Sequence, residues 1–323
     1  MAAIPMLDQY GREIEYLRIS VTDRCNLRCR YCMPEEGIPL TERGQLLDYE
    51  EFLRVASAAV ELGIVHFKVT GGEPLLRRGC TAFIRRLKAL PGVARVTLTT
   101  NGLLLAAVLD ELLAAGLDGV NISLDTLDSR QFQWLTRTDA PLERVLEAVR
   151  LCAGRLPTKV NAVLLEETEG QILPLAALAQ RLPVDVRFIQ RMPIGGETVG
   201  PSGRVLEQLR KVWPDLGPTE EKRGCGPARY YMSGMLKGRI GLIEAVSEPF
   251  CAGCNRVRLT STGVLKPCLC YEEGTDLRPL LRSGAADEEL RDAMAEAVFR
   301  KPRAHCFASG ESGESRSMGQ IGG

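Results

Sequence analysis

Between about residues 15 and 215 the chain alternates short β-like runs with amphipathic helical runs, six times over. The strand candidates are 16–21 (YLRISV), 65–70 (VHFKVT), 95–100 (RVTLTT), 119–124 (GVNISL), 159–164 (KVNAVL) and 184–189 (VDVRFI). Helical patterns lie between them at 48–63, 79–90, 102–117, 141–154 and 172–182. Asp48 with Glu51 three residues later reads as a helix start, and Gly63 as its stop. Successive strand–helix units imply a parallel sheet with helices packed outside it, either open or curled into a barrel.

The strands carry a second message. Parallel strands covered on both faces read as continuous apolar runs. Here Leu17, Ile19 and Val21 alternate with Arg18, Ser20 and Thr22, and Phe67 and Val69 with Lys68 and Thr70. Val120, Ile122 and Leu124 alternate with Asn121, Ser123 and Asp125, Val160 and Ala162 with Lys159 and Asn161, and Val184, Val186 and Phe188 with Asp185 and Arg187. Side chains switch faces at every residue of a strand, so each strand has one apolar and one polar face. If helices cover the apolar face, the polar faces line a shared, wet and locally basic interior that tolerates anions. The competing reading is a solvated outer face.

After residue 215 the pattern changes. Residues 228–233 and 237–246 read as a hairpin, and 285–300 as a last helix. The tail SGESGESRSMGQIGG is polar and Gly/Ser-rich, which reads as a frayed end. We therefore divide the chain at 1–217 and 218–323. Its 41 basic and 41 acidic residues cancel, which argues against a general nucleic-acid or membrane-surface binder. No signal peptide or spanning segment is read, and 11 cysteines in such a chain point to metal rather than to a disulfide framework.

Cys25, Cys29 and Cys32 sit in the loop after the first strand, where α/β folds place their chemistry. Structural zinc needs four protein ligands, and a fourth is missing. A [4Fe–4S] cluster on three thiolates keeps one iron open to another ligand. A second incomplete group follows: Cys251, Cys254 and Cys268, with Cys270 close by. Cys80, Cys152, Cys225 and Cys306 carry no motif and are expected to be structural.

The C-x3-C-x2-C spacing with Tyr31 before the last cysteine is similar to that of radical S-adenosylmethionine (SAM) enzymes, as is TGGEP (70–74) after the second strand. Both cysteine spacings, CNRVRL (254–259) and the terminal Gly322-Gly323 together resemble the family of GTP 3′,8-cyclases of molybdenum-cofactor biosynthesis. That resemblance implies an incomplete (β/α)6 TIM-type barrel with a C-terminal iron–sulfur extension. It implies two [4Fe–4S] clusters, one on Cys25, Cys29 and Cys32 and the other on Cys251, Cys254 and Cys268. SAM would be contacted by Tyr31, Gly72, Ser123 and Met192, and GTP by Arg18, Lys68, Thr99, Lys159, Arg256 and Arg258. Arg187 shares their face but could belong to a structural ion pair. In the implied reaction a 5′-deoxyadenosyl radical takes hydrogen from ribose C3′, and the carbon radical attacks guanine C8. The Gly-Gly tail would enter the active site. Implied partners are an electron donor and a downstream cyclic pyranopterin monophosphate synthase, in a cytoplasmic monomer or homodimer that binds neither nucleic acid nor membrane. A peptide maturase with an auxiliary cluster, or a non-catalytic iron–sulfur carrier, are the competing readings. The first usually carries more auxiliary cysteines and lacks the paired arginines and Gly-Gly tail, and the second needs neither TGGEP nor a cation-lined cavity.

Overall fold

Six strands follow one another as neighbours, all parallel: β1 (Tyr16–Ser20), β2 (His66–Thr70), β3 (Arg95–Thr100), β4 (Gly119–Ser123), β5 (Thr158–Leu164) and β6 (Asp185–Gln190). They are seen in a computed structural model that describes residues 5–201, 204–307 and 312–322. The connecting helices are α1 (Tyr49–Glu61), α2 (Cys80–Ala89), α3 (Leu105–Ala114), α4 (Ser129–Thr136), α5 (Leu142–Cys152) and α6 (Ile172–Arg181), with α7 (Val205–Val212) after β6. Asp48 and Glu51 form the reciprocal capping box that the sequence suggests, and Gly63 follows the helix end with φ 86°. Helix α4 escapes the periodicity argument because it is short and mostly polar. It starts at the Asp128 cap and ends at Arg137, whose φ of 52° breaks it from α5.

The remainder of the chain extends this sheet at both edges. Its strands are β7 (Gly217–Thr219), β8 (Arg229–Met232), β9 (Ile240–Ile243), β10 (Arg256–Leu259), β11 (Val264–Lys266) and β12 (Thr275–Asp276). β9 joins β6 and β10 joins β1, both parallel, so the sheet order is β12-β11-β10-β1-β2-β3-β4-β5-β6-β9-β8-β7. The hairpin read at 228–246 is β8–β9. Three helices complete the chain: α8 (Arg278–Arg282), α9 (Asp287–Phe299) and α10 (Met318–Ile321).

The apolar strand faces are buried under the helices. Leu17, Ile19, Phe67, Val69, Val96, Leu98, Ile122, Val160, Val186 and Phe188 belong to one core cluster with Phe52, Phe83, Leu109 and Val145. Each such side chain contributes about 1.5–3 kcal/mol on burial. This leaves the opposite faces of the same strands, with their charges, turned to the concave interior.

The tail corrects the composition argument, because residues 312–322 are docked rather than frayed. Glu314 and Lys266 form a fully buried ion pair, and Lys266 also donates to the carbonyls of Tyr271 and Glu272. Arg316 Nε donates to Glu314 at 2.8 Å. Ile321 packs with Ile194, Cys270 and Phe307 in a second, small apolar cluster. A few well-placed side chains outweigh the entropy that a Gly/Ser-rich segment loses on ordering.

Candidate active site

The first cysteine loop leaves the carboxyl end of β1 and folds on itself, with the Cys32 and Met33 amides donating to the Cys29 carbonyl at 2.9 and 3.2 Å. The Leu27 amide donates to Cys25 Sγ at 3.4 Å, and Asn101 Nδ2 stands 3.9 Å from the same sulfur. TGGEP lies directly against this loop. Gly72 N donates to Thr22 O at 2.7 Å and Glu73 N to Arg24 O at 2.8 Å. Gly71 and Gly72 are not among the positive-φ glycines; close approach is what requires them. A Cβ on Gly72 would stand 2.4 Å from the Arg24 carbonyl oxygen. Gly72→Ala is therefore expected to push the two loops apart and cost about 1–3 kcal/mol. Thermal unfolding checks this.

Glu73 braces the same end of the sheet. Fully buried, it accepts from Thr100 Oγ1 (2.9 Å) and the amides of Asn101 (2.7 Å) and Leu75 (3.0 Å), tying the β2 and β3 loops together. Burial pushes its carboxyl up to about 7 despite those bonds. Tyr31 donates its hydroxyl to Asp125 at 2.8 Å, and Asp125 also accepts from the Val163 amide at 2.7 Å. Burial raises Asp125 to about 6.

The second triad lies toward the other end of the strands. Cys251 and Cys254 precede β10, whose Arg256 is in register with Tyr16 at the start of β1, whereas the first triad follows the end of β1. The length of β1 sets the two ends roughly 15 Å apart. Burial alone would raise the Cys254 thiol, but the charges of Lys301 and Arg256 outweigh it and hold it below its ordinary value. Cys268 follows β11. Cys270, next to it, is engaged elsewhere: its sulfur lies 2.7 Å from Cys306 Sγ and accepts from the Cys306 amide at 3.1 Å.

All six triad cysteines line one cavity of about 340 Å³. Tyr31, Gly72, Thr99, Ser123, Met192, Arg18, Arg256 and Arg258 line it too. A second cavity of about 120 Å³ adjoins it, lined by Lys68, Arg95, Lys159 and Arg187, with Arg18, Thr99, Asn161 and Arg256 shared between the two. Every site residue read from the sequence among the described residues thus faces one or other chamber. Gly322 accepts a hydrogen bond from Arg258 Nη1 at 3.0 Å, which brings the tail to the site; Gly323 lies outside the described residues.

The cations are set by register. Arg258, Arg18 and Lys68 are direct partners across β10, β1 and β2. Unit charges held about 5 Å apart repel by roughly 3 kcal/mol at an effective dielectric near 20. Burial, then repulsion from Arg187, Arg18, Lys159 and Arg256, drives Lys68 well below its ordinary value. Burial, then its cationic neighbours, does the same to Arg258. Arg95 Nε and Arg256 Nε are buried without an acceptor among the described residues. Among the described residues Arg187 forms no ion pair: its Nε and Nη2 donate to the Asn161 amide oxygen at 2.9 and 2.6 Å. Such a wall suits a polyanion, which would supply acceptors and neutralise the repulsion.

Lys159 gives this wall a pH dependence. Burial, followed by Arg187, lowers it to about 7. It is charged below that pH and neutral above it. Since kcat/KM reports ionisations of the free enzyme, kcat/KM for a polyphosphate substrate should fall as pH rises through about 7. Lys159→Arg should remove that fall, and a pH–rate profile of both proteins checks it.

Asn101, Glu73, Asp125, Arg95, Asn161 and Lys301 were not singled out as site residues. Asn161 shares the parity of Lys159, and Asn101 and Asp125 end strands already marked, so a signal existed for these. Lys301 follows α9 with no motif. It reaches Cys254 only because packing brings its ammonium to the Arg256 carbonyl at 2.9 Å. Cys225, expected to be structural, instead lines the smaller cavity.

The triads fit clusters better than single ions. Among the described residues, neither brings its three sulfurs within 4.8 Å of one another, as one shared ion would require. In a cluster each thiolate takes a different iron. The open parallel sheet with a three-cysteine loop after β1 is the architecture of a radical SAM enzyme. Residues 19–179 match the radical SAM superfamily, and 184–307 match Molybdenum Cofactor Synthesis C. Streptococcus suis SuiB bound to S-adenosylmethionine shares the fold, with a TM-score of 0.61 at 15% identity, over 93% of this chain and 73% of that one. The GTP 3′,8-cyclase of Heliobacterium modesticaldum is 43% identical over 98% of this chain and 100% of its own length. That of Peptoclostridium acidaminophilum is 44% identical over 98% of each. The chain belongs to the GTP 3′,8-cyclase family, whose cofactors are SAM and two [4Fe–4S] clusters.

Proposed function

We propose that the chain converts GTP to (8S)-3′,8-cyclo-7,8-dihydroguanosine 5′-triphosphate in molybdenum-cofactor biosynthesis. The observation that carries this is continuity: a chamber walled by Lys68, Arg95, Lys159 and Arg187 opens, past Arg18 and Arg256, into the cavity lined by both cysteine triads. The cationic chamber suits a triphosphate of three to four charges, about what a nucleoside triphosphate carries. The nucleoside would then extend into the larger cavity. A carrier has no use for such a wall, and a peptide substrate brings no polyanion.

Cys25, Cys29 and Cys32 would hold the cluster that binds SAM, and Cys251, Cys254 and Cys268 the cluster at the guanine end. When bound, SAM and the first cluster supply a radical able to abstract the ribose C3′ hydrogen. The chain's own residues do the rest. Arg18, Lys68, Lys159, Arg256 and Arg258 anchor the phosphates, and Thr99 positions the ribose. Tyr31, Gly72, Ser123 and Met192 seat SAM, with Asp125 orienting Tyr31. The docked tail covers the cavity and excludes water, with Gly322 at Arg258.

The same proposal assigns residues 1–217 to the barrel and 218–323 to the part that completes it. It also includes a cytoplasmic setting, an electron donor, hand-over to a cyclic pyranopterin monophosphate synthase, a monomeric or homodimeric state, and no nucleic-acid or membrane partner. No helix of the described residues is long and apolar enough to cross a membrane. The test is anaerobic reconstitution with SAM, reductant and GTP. 5′-Deoxyadenosine together with a cyclised nucleotide supports the reading. SAM cleavage with GTP untouched favours a maturase, and no SAM cleavage favours a carrier.

A further inference from the structure

Outside both triads, Glu15, His66 and Cys225 bring a carboxylate oxygen, an imidazole nitrogen and a thiol sulfur within 4.8 Å of one another. We infer that these three residues form a binding site for one divalent metal ion of the zinc class, on the wall of the cationic chamber. They arrive from three separate stretches: Glu15 just before β1, His66 at the start of β2, and Cys225 in the loop between β7 and β8. The backbone fixes two of them together, since the Val65 and His66 amides both donate to the Glu15 carbonyl at 3.1 and 3.0 Å.

The carboxylate is oriented by an outer partner. Asn255 Nδ2 donates to Glu15 Oε1 at 2.9 Å and lies 3.4 Å from the Cys225 carbonyl. Glu15 Oε2 is thereby turned toward His66 Nε2, 4.0 Å away. Tetrahedral zinc, with bonds of about 2.0–2.3 Å, places its ligand atoms about 3.3–3.7 Å apart. The Glu15–His66 pair therefore closes on an ion with a shift under an ångström, and the Cys225 sulfur, within 4.8 Å of both, with one of about an ångström. A hydrogen bond would be shorter than 4.0 Å, so the pair gains little without the ion. Among the described residues His66 Nδ1 is buried without a hydrogen-bond partner, so none of them holds the ring to another arrangement through that nitrogen.

The donor set chooses the ion. Imidazole, thiolate and one carboxylate suit zinc and exclude magnesium and calcium, which take oxygen. The thiolate and carboxylate together neutralise a divalent ion, so the loaded site is neutral and binding raises the local charge by only one unit, from that of the carboxylate alone. Binding releases the thiol proton to solvent. Three protein ligands leave a fourth position, which His66 and Cys225 turn toward the chamber they line with Lys68 and Lys159.

The test uses the anaerobically prepared, cluster-loaded protein, dialysed against radioactive zinc and then examined at the zinc X-ray absorption edge. One zinc per chain is expected, with a single sulfur neighbour at about 2.3 Å among lighter atoms. Cys225→Ala should lose the zinc while keeping its iron. Asn255→Ala should weaken binding roughly 10- to 100-fold, as removal of an orienting partner does. His66→Asn serves as the second ligand variant if Cys225→Ala fails to fold. No retained zinc, equal retention by the ligand variants, or a spectrum with three sulfur neighbours (zinc in a cysteine triad) would each overturn the assignment.

Discussion

Replacing Arg256 by alanine should lower kcat/KM for GTP by roughly 100- to 1000-fold, with the iron content unchanged. The magnitude follows from position. Truncating one member of a buried charged pair costs about 2–5 kcal/mol, and Arg256 borders both cavities with a buried Nε that lacks an acceptor among the described residues. The sign of the stability change is the diagnostic part. Arg256 is among the charges that depress Arg18, Lys68 and Arg258. Removing it relieves repulsion in the free protein, so the melting temperature should hold or rise while catalysis collapses. An arginine with a merely structural role would show the opposite pair of results. Iron loss in this variant would instead mean that Arg256 acts through Cys254, whose thiol its charge lowers. Steady-state kinetics, iron analysis and thermal unfolding on one preparation decide among these outcomes.

Cys254→Ala should go further and abolish the cyclised nucleotide. On the proposed assignment of one cluster to each triad it should remove about half of the iron, while SAM still binds at the intact first site. Cys29→Ala should remove the other half and stop 5′-deoxyadenosine formation. Iron and sulfide analysis, SAM titration and product chromatography read both variants. Complete iron loss from either single substitution would show that the triads are not independent sites. The two ends of β1 that separate them make that independence the expected result.

Much of this site could be read from strand parity. Arg18, Lys68 and Lys159 fall on the polar side of alternating strands, and the fold turns that side inward because the apolar side carries Leu17, Phe67 and Val160 into the helical layer. The first cysteine triad was legible from spacing because it lies within one short loop, whereas the second is split by the β10–β11 hairpin and was read as a repeat of the same incomplete set. What stayed hidden depends on contacts between distant stretches. Lys301 reaches Cys254 across 47 positions of sequence (301 minus 254), through packing that no local pattern encodes. Glu15 meets His66 because β1 and β2 start side by side, and Cys225 joins them from the distant loop between β7 and β8. The tail misled for a related reason. Its composition is that of a loose end, but Glu314 and Ile321 find buried partners supplied by β11 and by a small apolar cluster. The two glycines of TGGEP were legible as a motif, but that close approach and not positive φ requires Gly72 depends on the turn actually formed and on the Arg24 carbonyl beside it.

The central claim is that one substrate spans both chambers, its phosphates on the cationic wall and its ribose at the SAM end. GTP deuterated at C3′ tests it directly in the anaerobically reconstituted protein with SAM and reductant. Mass spectrometry should find deuterium transferred to 5′-deoxyadenosine as GTP is consumed, and absent from the cyclised product at that carbon. Unlabelled 5′-deoxyadenosine, with the deuterium still on the nucleotide, would mean that the ribose does not lie where the two chambers place it.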